Sequence, residues 1–305
     1  MKCSKCGDLA VINMRQHRLR LCEPHFLEWF AVMIQRTIEK YGMFTPGDKV
    51  LVAVSGGKDS LALWDVLLKL GYEAQGLYIG LGIDEGLGYS QTSLEMCQRF
   101  LAEHHPGAVL QVVDVGSEYG QTIPHLARSQ RRGRDKPCSL CGLVKRHVMN
   151  RVARDGGFSA IATGHNLDDE VAVLMQNTLH WQTGYLARQA PVLAERNGLA
   201  RKVKPLVRLY EREAGAYVLL QGIDYIYDEC PFAKGATTNF YKGLLNQLEL
   251  NSPGAKQQFY LSFLQARDAG QMTFAGERKA ELHPCVRCGQ PTTAGDLCAF
   301  CRLWE

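Results

Sequence analysis

The sequence lacks any long, uninterrupted apolar segment. Nowhere in its 305 residues does a run of about 18 apolar residues occur, which is what a membrane-spanning helix requires. The first residues, MKCSKCGDLA, also lack the apolar core of a secretory signal peptide. Low-complexity segments and internal repeats are absent too. With 46% hydrophobic and 22% charged residues, the composition is that of a globular chain. We therefore expect a cytoplasmic protein without a membrane partner, built as one large domain with small appendages.

A strong net charge is also missing, because the formal charge is only +4. Basic residues are nevertheless clustered at residues 128–136, 201–204 and 15–20. Any one cluster could belong to a solvated loop, but three together favour a phosphate-rich partner. The densest cluster contains the candidate nucleic-acid contacts Arg128, Arg131, Arg132 and Arg134.

Cysteine, in contrast, is abundant, with eleven residues in a chain expected to stay reduced. Two sets have the spacing of closed tetrahedral zinc sites. Segments of about 25 residues bury too little apolar surface to fold alone, and zinc can supply about 10–16 kcal/mol. We predict two structural Zn²⁺ ions without a catalytic role, in modules 1–27 and 281–305. Their ligands are Cys3, Cys6, Cys22 and His25, and Cys285, Cys288, Cys298 and Cys301.

Three further cysteines have no obvious fourth partner: Cys138 and Cys141 form a C-x-x-C pair, and Cys230 follows much later. They could hold an iron–sulfur cluster with one iron left open, act as a redox pair, or bind zinc together with a histidine. Cys97 lies in a segment with helical spacing of apolar residues, so we expect it in the core.

Alternating strand and helix patterns cover the central part of the chain. We predict helices at residues 26–41, 90–104, from Cys141 to about Arg154, at 210–222 and, as a pair, within 237–269, with an irregular basic segment at 116–137. Strands are predicted at 49–54, within 74–79, within 109–115 and at 158–163. This alternation indicates an α/β fold with a doubly wound parallel sheet, in a catalytic domain spanning 28–280 with a helical C-terminal part.

Two polar motifs follow predicted strands. SGGKDS lies between the strand at 49–54 and a helix, where glycine amides and the helix N-terminus can surround an anion. Its spacing is not that of a Walker A loop. GHNLDD follows the strand at 158–163, and ligands gather at such carboxyl ends. Of its two aspartates, Asp168 could simply favour the helix start.

SGGKDS resembles the PP-loop signature S-G-G-x-D-S, whose enzymes cleave ATP between the α- and β-phosphates. The order of motifs across essentially the whole chain resembles the two-zinc-finger group of tRNA 2-thiolation enzymes. This group contains the tRNA-5-methyluridine 2-sulfurtransferases and the wobble-uridine thiolases. The shared features are both terminal zinc motifs, SGGKDS, the central C-x-x-C, GHNLDD and the Glu-Cys-Pro at residues 229–231.

The resemblance implies roles for individual residues. A 4Fe–4S cluster would be held by Cys138, Cys141 and Cys230, and the catalytic residues would be Asp59, Lys145 and Asp169. The remaining cofactors would be ATP and Mg²⁺, and the partner tRNA. Sulfur would come from free sulfide or a ubiquitin-like carrier with a C-terminal thiocarboxylate, and a homodimer is expected. The ATP contacts would be Ala53, Ser55, Gly56, Gly57, Lys58, Asp59, Ser60, Gly164 and His165.

The implied reaction adenylates the C2 carbonyl oxygen of a uridine and then replaces that oxygen with sulfur. Three alternatives stay open: thiolation through a persulfide on Cys138 or Cys141, an amide-forming PP-loop ligase, and a zinc-ribbon adaptor that does not use ATP. The target base is also open between the T-loop uridine, another uridine, and a cytidine as in the 2-thiocytidine synthetases.

Overall fold

The N-terminal module is an antiparallel hairpin that packs on the first helix. The computed structural model describes residues 1–84, 88–129, 137–233, 237–272 and 282–305. Strands β1 (Ile12–Met14) and β2 (Leu19–Leu21) pair with each other, and helix α1 (Glu23–Lys40) follows. The helix predicted from residue 26 therefore begins three residues earlier, because proline is well suited to a first helical turn.

The centre of the molecule is a six-stranded sheet in the order β5-β4-β3-β6-β8-β7. All its pairings are parallel except that of β7 with β8. The predicted parallel α/β sheet is confirmed, although β7 and β8 were missed because two residues are too few to show a periodicity. The strands are β3 (Lys49–Val54), β4 (Glu73–Gly80), β5 (Leu110–Asp114), β6 (Ala160–Thr163), β7 (Val192–Leu193) and β8 (Lys202–Val203).

Helices cover both faces of this sheet. Along β3, Val50 and Val52 belong to the apolar core shared with α1, while Leu51 belongs to a second core on the opposite face. Successive strand residues point to opposite faces, so a continuous apolar strand can serve both layers. The helices are α2 (Lys58–Lys69), α3 (Tyr89–His104), α4 (Val115–Tyr119), α5 (Ile123–Ser129), α6 (Pro137–Asp155), α7 (Leu167–Leu179), α8 (Thr183–Leu186), α9 (Glu211–Gln221), α10 (Thr237–Asn251) and α11 (Ala255–Asp268).

Two sequence expectations need correction between β5 and β6. The segment predicted as irregular contains α4 and α5, whose residues Val115, Ile123 and Leu126 are fully buried. The next helix starts at Pro137, not after Cys141. Proline is tolerated in a first helical turn because its missing N–H needs no partner there. Both central cysteines are therefore helical residues.

The C-terminal module packs on α6. Its short strands β9 (His283–Pro284) and β10 (Pro291–Thr292) pair antiparallel. The Phe300 ring stacks on the His147 ring at 3.5 Å between centroids, and Gln290 Nε2 donates to the His147 carbonyl at 2.9 Å. Among the described residues, no helix combines the length and the apolarity that a membrane span requires.

Candidate active site

The turn between β3 and α2 contains a glycine, Gly56, at a position that a side chain could not occupy. Gly56 has φ +71, and a β-carbon there would lie 2.4 Å from the Ser93 carbonyl oxygen. Gly57 immediately precedes α2. The Ser60 hydroxyl donates to the Gly57 carbonyl at 2.9 Å and accepts from the Ser55 amide at 3.2 Å. The turn is thus held open at a helix N-terminus, where backbone amides favour an anion.

The second motif begins α7 beside this turn. Asn166 and Asp169 form a reciprocal capping box, in which each side chain accepts from the other's backbone N–H. Asn166 Nδ2 also donates to Asp59 Oδ1 at 3.0 Å. Because β3 and β6 are adjacent parallel strands, their carboxyl ends bring the two motifs together.

A central cleft of about 590 Å³ opens at this edge of the sheet. Leu77, Tyr78 and Ile79 of β4 form one side. The cleft gathers most of the residues that the sequence singled out. Those lining it are Ala53, Ser55, Gly57, Asp59, Ser60, Cys138, Cys141, Lys145, Gly164, His165, Asp169 and Cys230.

Lys58 and Asp168 face elsewhere. Lys58 Nζ donates to Asp59 Oδ2 at 3.0 Å and Glu211 Oε1 at 2.8 Å, and it lines a neighbouring cleft beside α9. Asp168 pairs with the buried Lys256 and accepts from the Glu211 amide at 2.8 Å. Asp168 therefore has a structural role.

Three thiols line the central cleft near one another. The Cys138 thiol donates to the Phe232 carbonyl at 3.2 Å, which ties the start of α6 to the segment after Cys230. Burial raises the pKa of Cys141 to about 11, with Cys138 and Cys230 adding to the effect and Lys145 opposing it. Without a bound metal, the Cys141 thiol is therefore neutral at neutral pH. A bound metal would be needed to stabilise the thiolate form.

The helical start at Pro137 explains how α6 serves the site. Cys138, Cys141 and Lys145 are spaced i, i+3 and i+7, so they project from one face of the helix. Among the described residues, only the two terminal sets have all their ligand atoms within 4.8 Å of one another, so these three thiols are spaced more widely. That limit suits the ligands of a single ion, whereas cysteines of an iron–sulfur cube each bind a different iron. The donor set and its shared cleft fit such a cluster.

Asp59 lies deep in the site. Burial raises the pKa of its carboxyl group, while Lys58 and Asn166 oppose the shift. Two residues near Asp59, Glu211 and Lys242, were not indicated by any sequence pattern. Through ion pairs they link Lys58 to Asp169. Glu211 lies within the helix predicted at 210–222 and is the first residue of the observed α9, but no motif surrounds either residue.

The two terminal sets are closed. In each set, four ligand atoms lie within 4.8 Å of one another. Cys22 Sγ is 3.1 Å from His25 Nδ1 in the first set. In the second, the amide of Cys298 donates to Cys285 Sγ at 3.3 Å. Four soft donors around one point can hold a tetrahedral metal ion.

The basic clusters differ in environment. Arg128 lies in the last turn of α5, whereas Arg131, Arg132 and Arg134 lie outside the described residues. The cluster at 201–204 is engaged internally, because Lys204 pairs with Glu170 at 2.8 Å and burial lowers the pKa of Lys202 to about 8. The cluster at 15–20 lines an open depression of about 530 Å³ next to the N-terminal hairpin.

Comparisons with known proteins agree along the whole chain. Residues 2–27 match the family described as 2-thiouridine synthetase TtuA, N-terminal LIM domain, and residues 30–241 match the PP-loop domain. A tRNA-5-methyluridine(54) 2-sulfurtransferase from Thermus thermophilus is 51% identical, covering 100% of this chain and 91% of that protein. A protein of the same name from Pyrococcus horikoshii is 43% identical, covering 100% and 94%.

A similar fold occurs among solved structures. The U34-tRNA thiolase NcsA from Methanococcus maripaludis, solved with its 4Fe–4S cluster, superposes with a TM-score of 0.77. The match covers 92% of this chain and 93% of that one at 23% identity. At this identity the likeness concerns the fold.

Proposed function

The chain belongs to the PP-loop family of tRNA 2-thiolation enzymes, and from this premise we propose that it uses ATP to replace the C2 oxygen of a tRNA uridine with sulfur. One observation carries the proposal: a single cleft contains the PP-loop turn, three cysteine thiols, Lys145 and Asp169. A PP-loop ligase that forms amides would not need the thiols, and a zinc-ribbon adaptor would not need the ATP site.

In the proposed first step, the C2 oxygen of the uridine attacks the α-phosphorus of ATP. An O–P bond forms, and the bond to the β-phosphate breaks to release pyrophosphate. The open turn at residues 55–60 would hold the phosphates through backbone amides and serine hydroxyls. The Asp59 and Asp169 carboxylates are hard oxygen ligands suited to Mg²⁺, which would neutralise phosphate charge.

In the proposed second step, sulfide sulfur attacks C2, and the C2–O bond breaks as AMP leaves. Lys145 lines the same cleft as the thiols and the PP-loop turn. Its ammonium group would stabilise the negative charge that develops on the leaving phosphate. The sulfur source would be free sulfide or a thiocarboxylate carrier, as the sequence resemblance implies.

The three cleft cysteines would hold a 4Fe–4S cluster. When bound, the cluster would supply an iron without a protein ligand, which can bind sulfide. The solved relative of the same fold carries such a cluster. Persulfide chemistry is the competing route, favoured by the exposure of Cys138. Iron content and activity of anaerobically purified protein separate the two routes.

We also propose Zn²⁺ as the ion of both terminal modules, because closed sets of thiolate and imidazole donors match its tetrahedral preference. The enzyme would act in the cytoplasm, where its tRNA substrate occurs. The homodimer implied by the resemblance stays a prediction, as do the domain limits 1–27, 28–280 and 281–305.

We propose 5-methyluridine at tRNA position 54 as the target base, since two relatives above 40% identity are named for it. The test is mass spectrometry of tRNA nucleosides from cells with and without the gene. Loss of 2-thio-5-methyluridine alone supports the proposal. Loss of 2-thiouridine at the wobble position would instead identify uridine 34 as the target base, which is the position named for the solved relative. Unchanged thionucleosides would refute tRNA thiolation in the cell.

A further inference from the structure

Three helices begin close to one another beside the central cleft, and each has a carboxylate in its first turn. Asp59 belongs to α2, Asp169 to α7 and Glu211 to α9. A helix N-terminus stabilises a carboxylate, but three carboxylates in one place repel each other. The arrangement therefore needs compensating positive charge.

Two lysines supply this charge by bridging neighbouring carboxylates. Lys58 lies 3.0 Å from Asp59 Oδ2 and 2.8 Å from Glu211 Oε1. Lys242, from α10, lies 3.0 Å from Glu211 Oε2 and 2.7 Å from Asp169 Oδ1. Asn166 connects the remaining two carboxylates, because its side-chain amide donates to Asp59 and its backbone N–H donates to Asp169. These six residues, Lys58, Asp59, Asn166, Asp169, Glu211 and Lys242, are called the carboxylate–lysine ring below.

The ring is shielded from water but remains ionic. Its five charged side chains are between 21% and 36% exposed. Burial raises the pKa of Glu211, but the hydrogen bonds and charges of Lys58 and Lys242 outweigh this effect and lower the pKa overall, to about 2. Burial likewise lowers the pKa of Lys242, but Asp169 and Glu211 more than offset this and raise it overall. Glu211 and Lys242 are therefore charged at neutral pH.

The ring has a front and a back. Asp59 and Asp169 line the central cleft, whereas Glu211 and Lys242 are not among its lining residues. Glu211 and Lys242 can thus affect a nucleotide in the cleft through the side chains they hold and through the charge of the ring, without lining the cleft themselves. Three carboxylates and two ammonium groups leave one net negative charge, which suits a cation arriving with ATP.

We propose that Glu211 and Lys242 are positioning residues for adenylation, an inference that rests on the proposed function. Lys242 holds the Asp169 carboxylate at the cleft wall, and Glu211 holds Lys58 beside Asp59. Together they set the spacing and charge of the two carboxylates that receive Mg²⁺. Neither residue touches the substrate or the reacting atoms.

Opposite charge changes at these two positions have opposite effects on the metal. Lys242→Met makes the ring more negative, so the Mg²⁺ concentration for half-maximal rate falls by about threefold to tenfold. Glu211→Gln makes the ring less negative, so that concentration rises by a similar factor of about threefold to tenfold. In both variants kcat falls by about 10- to 100-fold, because a displaced carboxylate no longer matches the transition state. General loss of packing would not shift the Mg²⁺ dependence in opposite directions.

The experiment measures AMP release and tRNA thiolation by the cluster-loaded enzyme at saturating ATP, with tRNA and sulfide, as Mg²⁺ is varied. Lys69→Met is the matched control for Lys242→Met. Lys69 lies on α2, as Lys58 of the ring does, and it pairs with a single carboxylate, Asp65, outside the cleft. Asp65 keeps His105 and Tyr217 as partners there. The control should retain the wild-type rate and Mg²⁺ dependence. Lys242→Arg, which can still bridge two carboxylates, should recover most of kcat.

Wild-type enzyme that forms no AMP would refute the proposed function, and the ring with it. Active wild type with an unchanged Mg²⁺ dependence in both Lys242→Met and Glu211→Gln would refute the ring alone. Shifts in the same direction would do so as well. If Lys242→Met does not fold, the other two variants provide the test. Positioning is supported if Lys242→Arg keeps most of the wild-type kcat and Glu211→Gln needs more Mg²⁺ for half-maximal rate. Failure of either result refutes it.

Discussion

Gly164 lies directly against Ser60: a β-carbon on Gly164 would be 2.9 Å from the Ser60 backbone nitrogen. This contact joins the end of β6 to the first turn of α2, so the two polar motifs are in van der Waals contact. The neighbouring atom belongs to the backbone of a helix and cannot move aside as a flexible side chain could. The glycine of GHNLDD thus allows both sides of the active site to meet.

Gly164→Ala should therefore damage both stability and ATP use. Overpacking at such a contact costs about 1–3 kcal/mol, measurable as a lower midpoint of thermal unfolding. Displacement of the α2 N-terminus should also weaken ATP binding, which calorimetry can measure. The matched control is Gly184→Ala in α8, where a β-carbon meets nothing within 4 Å. Wild-type stability and affinity in Gly164→Ala would contradict the observed packing.

Asp59→Ala and Ser55→Ala should abolish formation of AMP and pyrophosphate while the fold survives. Both residues line the cleft, and Asp59 accepts hydrogen bonds from Lys58 and Asn166. The products can be separated by chromatography and compared with circular dichroism of the same samples. Appearance of ADP and phosphate with the wild-type enzyme would show that the PP-loop assignment is wrong.

Serine substitution of Cys138, Cys141 or Cys230, one at a time, should remove iron and thiolation together. ATP binding should stay nearly intact, because none of the three cysteines belongs to the turn at residues 55–60 that would hold the phosphates. Iron per chain and thiolated nucleoside are measured after anaerobic purification. Cys97→Ala is the control for loss of a thiol, since Cys97 is buried in the core of α3. Active, iron-free enzyme under air would favour the persulfide route.

Cys288→Ser should reduce bound zinc from about two ions to about one per chain. Without its metal, the C-terminal module should detach from α6, and the stacking of Phe300 on His147 should be lost. We expect faster hydrogen exchange in residues 282–305 and weaker tRNA binding. Val286→Ser changes an exposed residue between two ligands and should keep both ions. Full zinc and full stability in Cys288→Ser would count against a structural metal.

Neutralising Arg131, Arg132 and Arg134 should weaken tRNA binding and flatten its salt dependence. Each lost phosphate contact lowers the slope of log affinity against log salt by roughly one unit. Binding isotherms at several salt concentrations give this slope. The control neutralises three exposed basic residues that already pair with carboxylates: Lys5, Arg99 and Arg154. Equal slopes for both triple variants would show that Arg131, Arg132 and Arg134 do not contact tRNA phosphates.

Features that depend on neighbours in the chain could be predicted from the sequence. The strand at 49–54 is observed with the same limits, and helices near 90–104 and 210–222 differ by one residue at each end at most. The metal sets and the SGGKDS turn were recognisable for the same reason. Ligand spacing, glycine conformation and hydrophobic periodicity are local properties, so they leave a pattern in a short stretch of sequence.

Only the tertiary structure decided which chemical groups act together. The start of α6 at Pro137 puts Cys138, Cys141 and Lys145 on one helix face, and the sheet order brings Asp59 beside Asn166. Glu211 and Lys242 had no recognisable pattern around them. Their ion pairs join residues up to 153 positions apart, and such contacts depend on how helices pack across the sheet. Packing of distant elements leaves no local periodicity or spacing, so the carboxylate–lysine ring could be found only in the folded molecule.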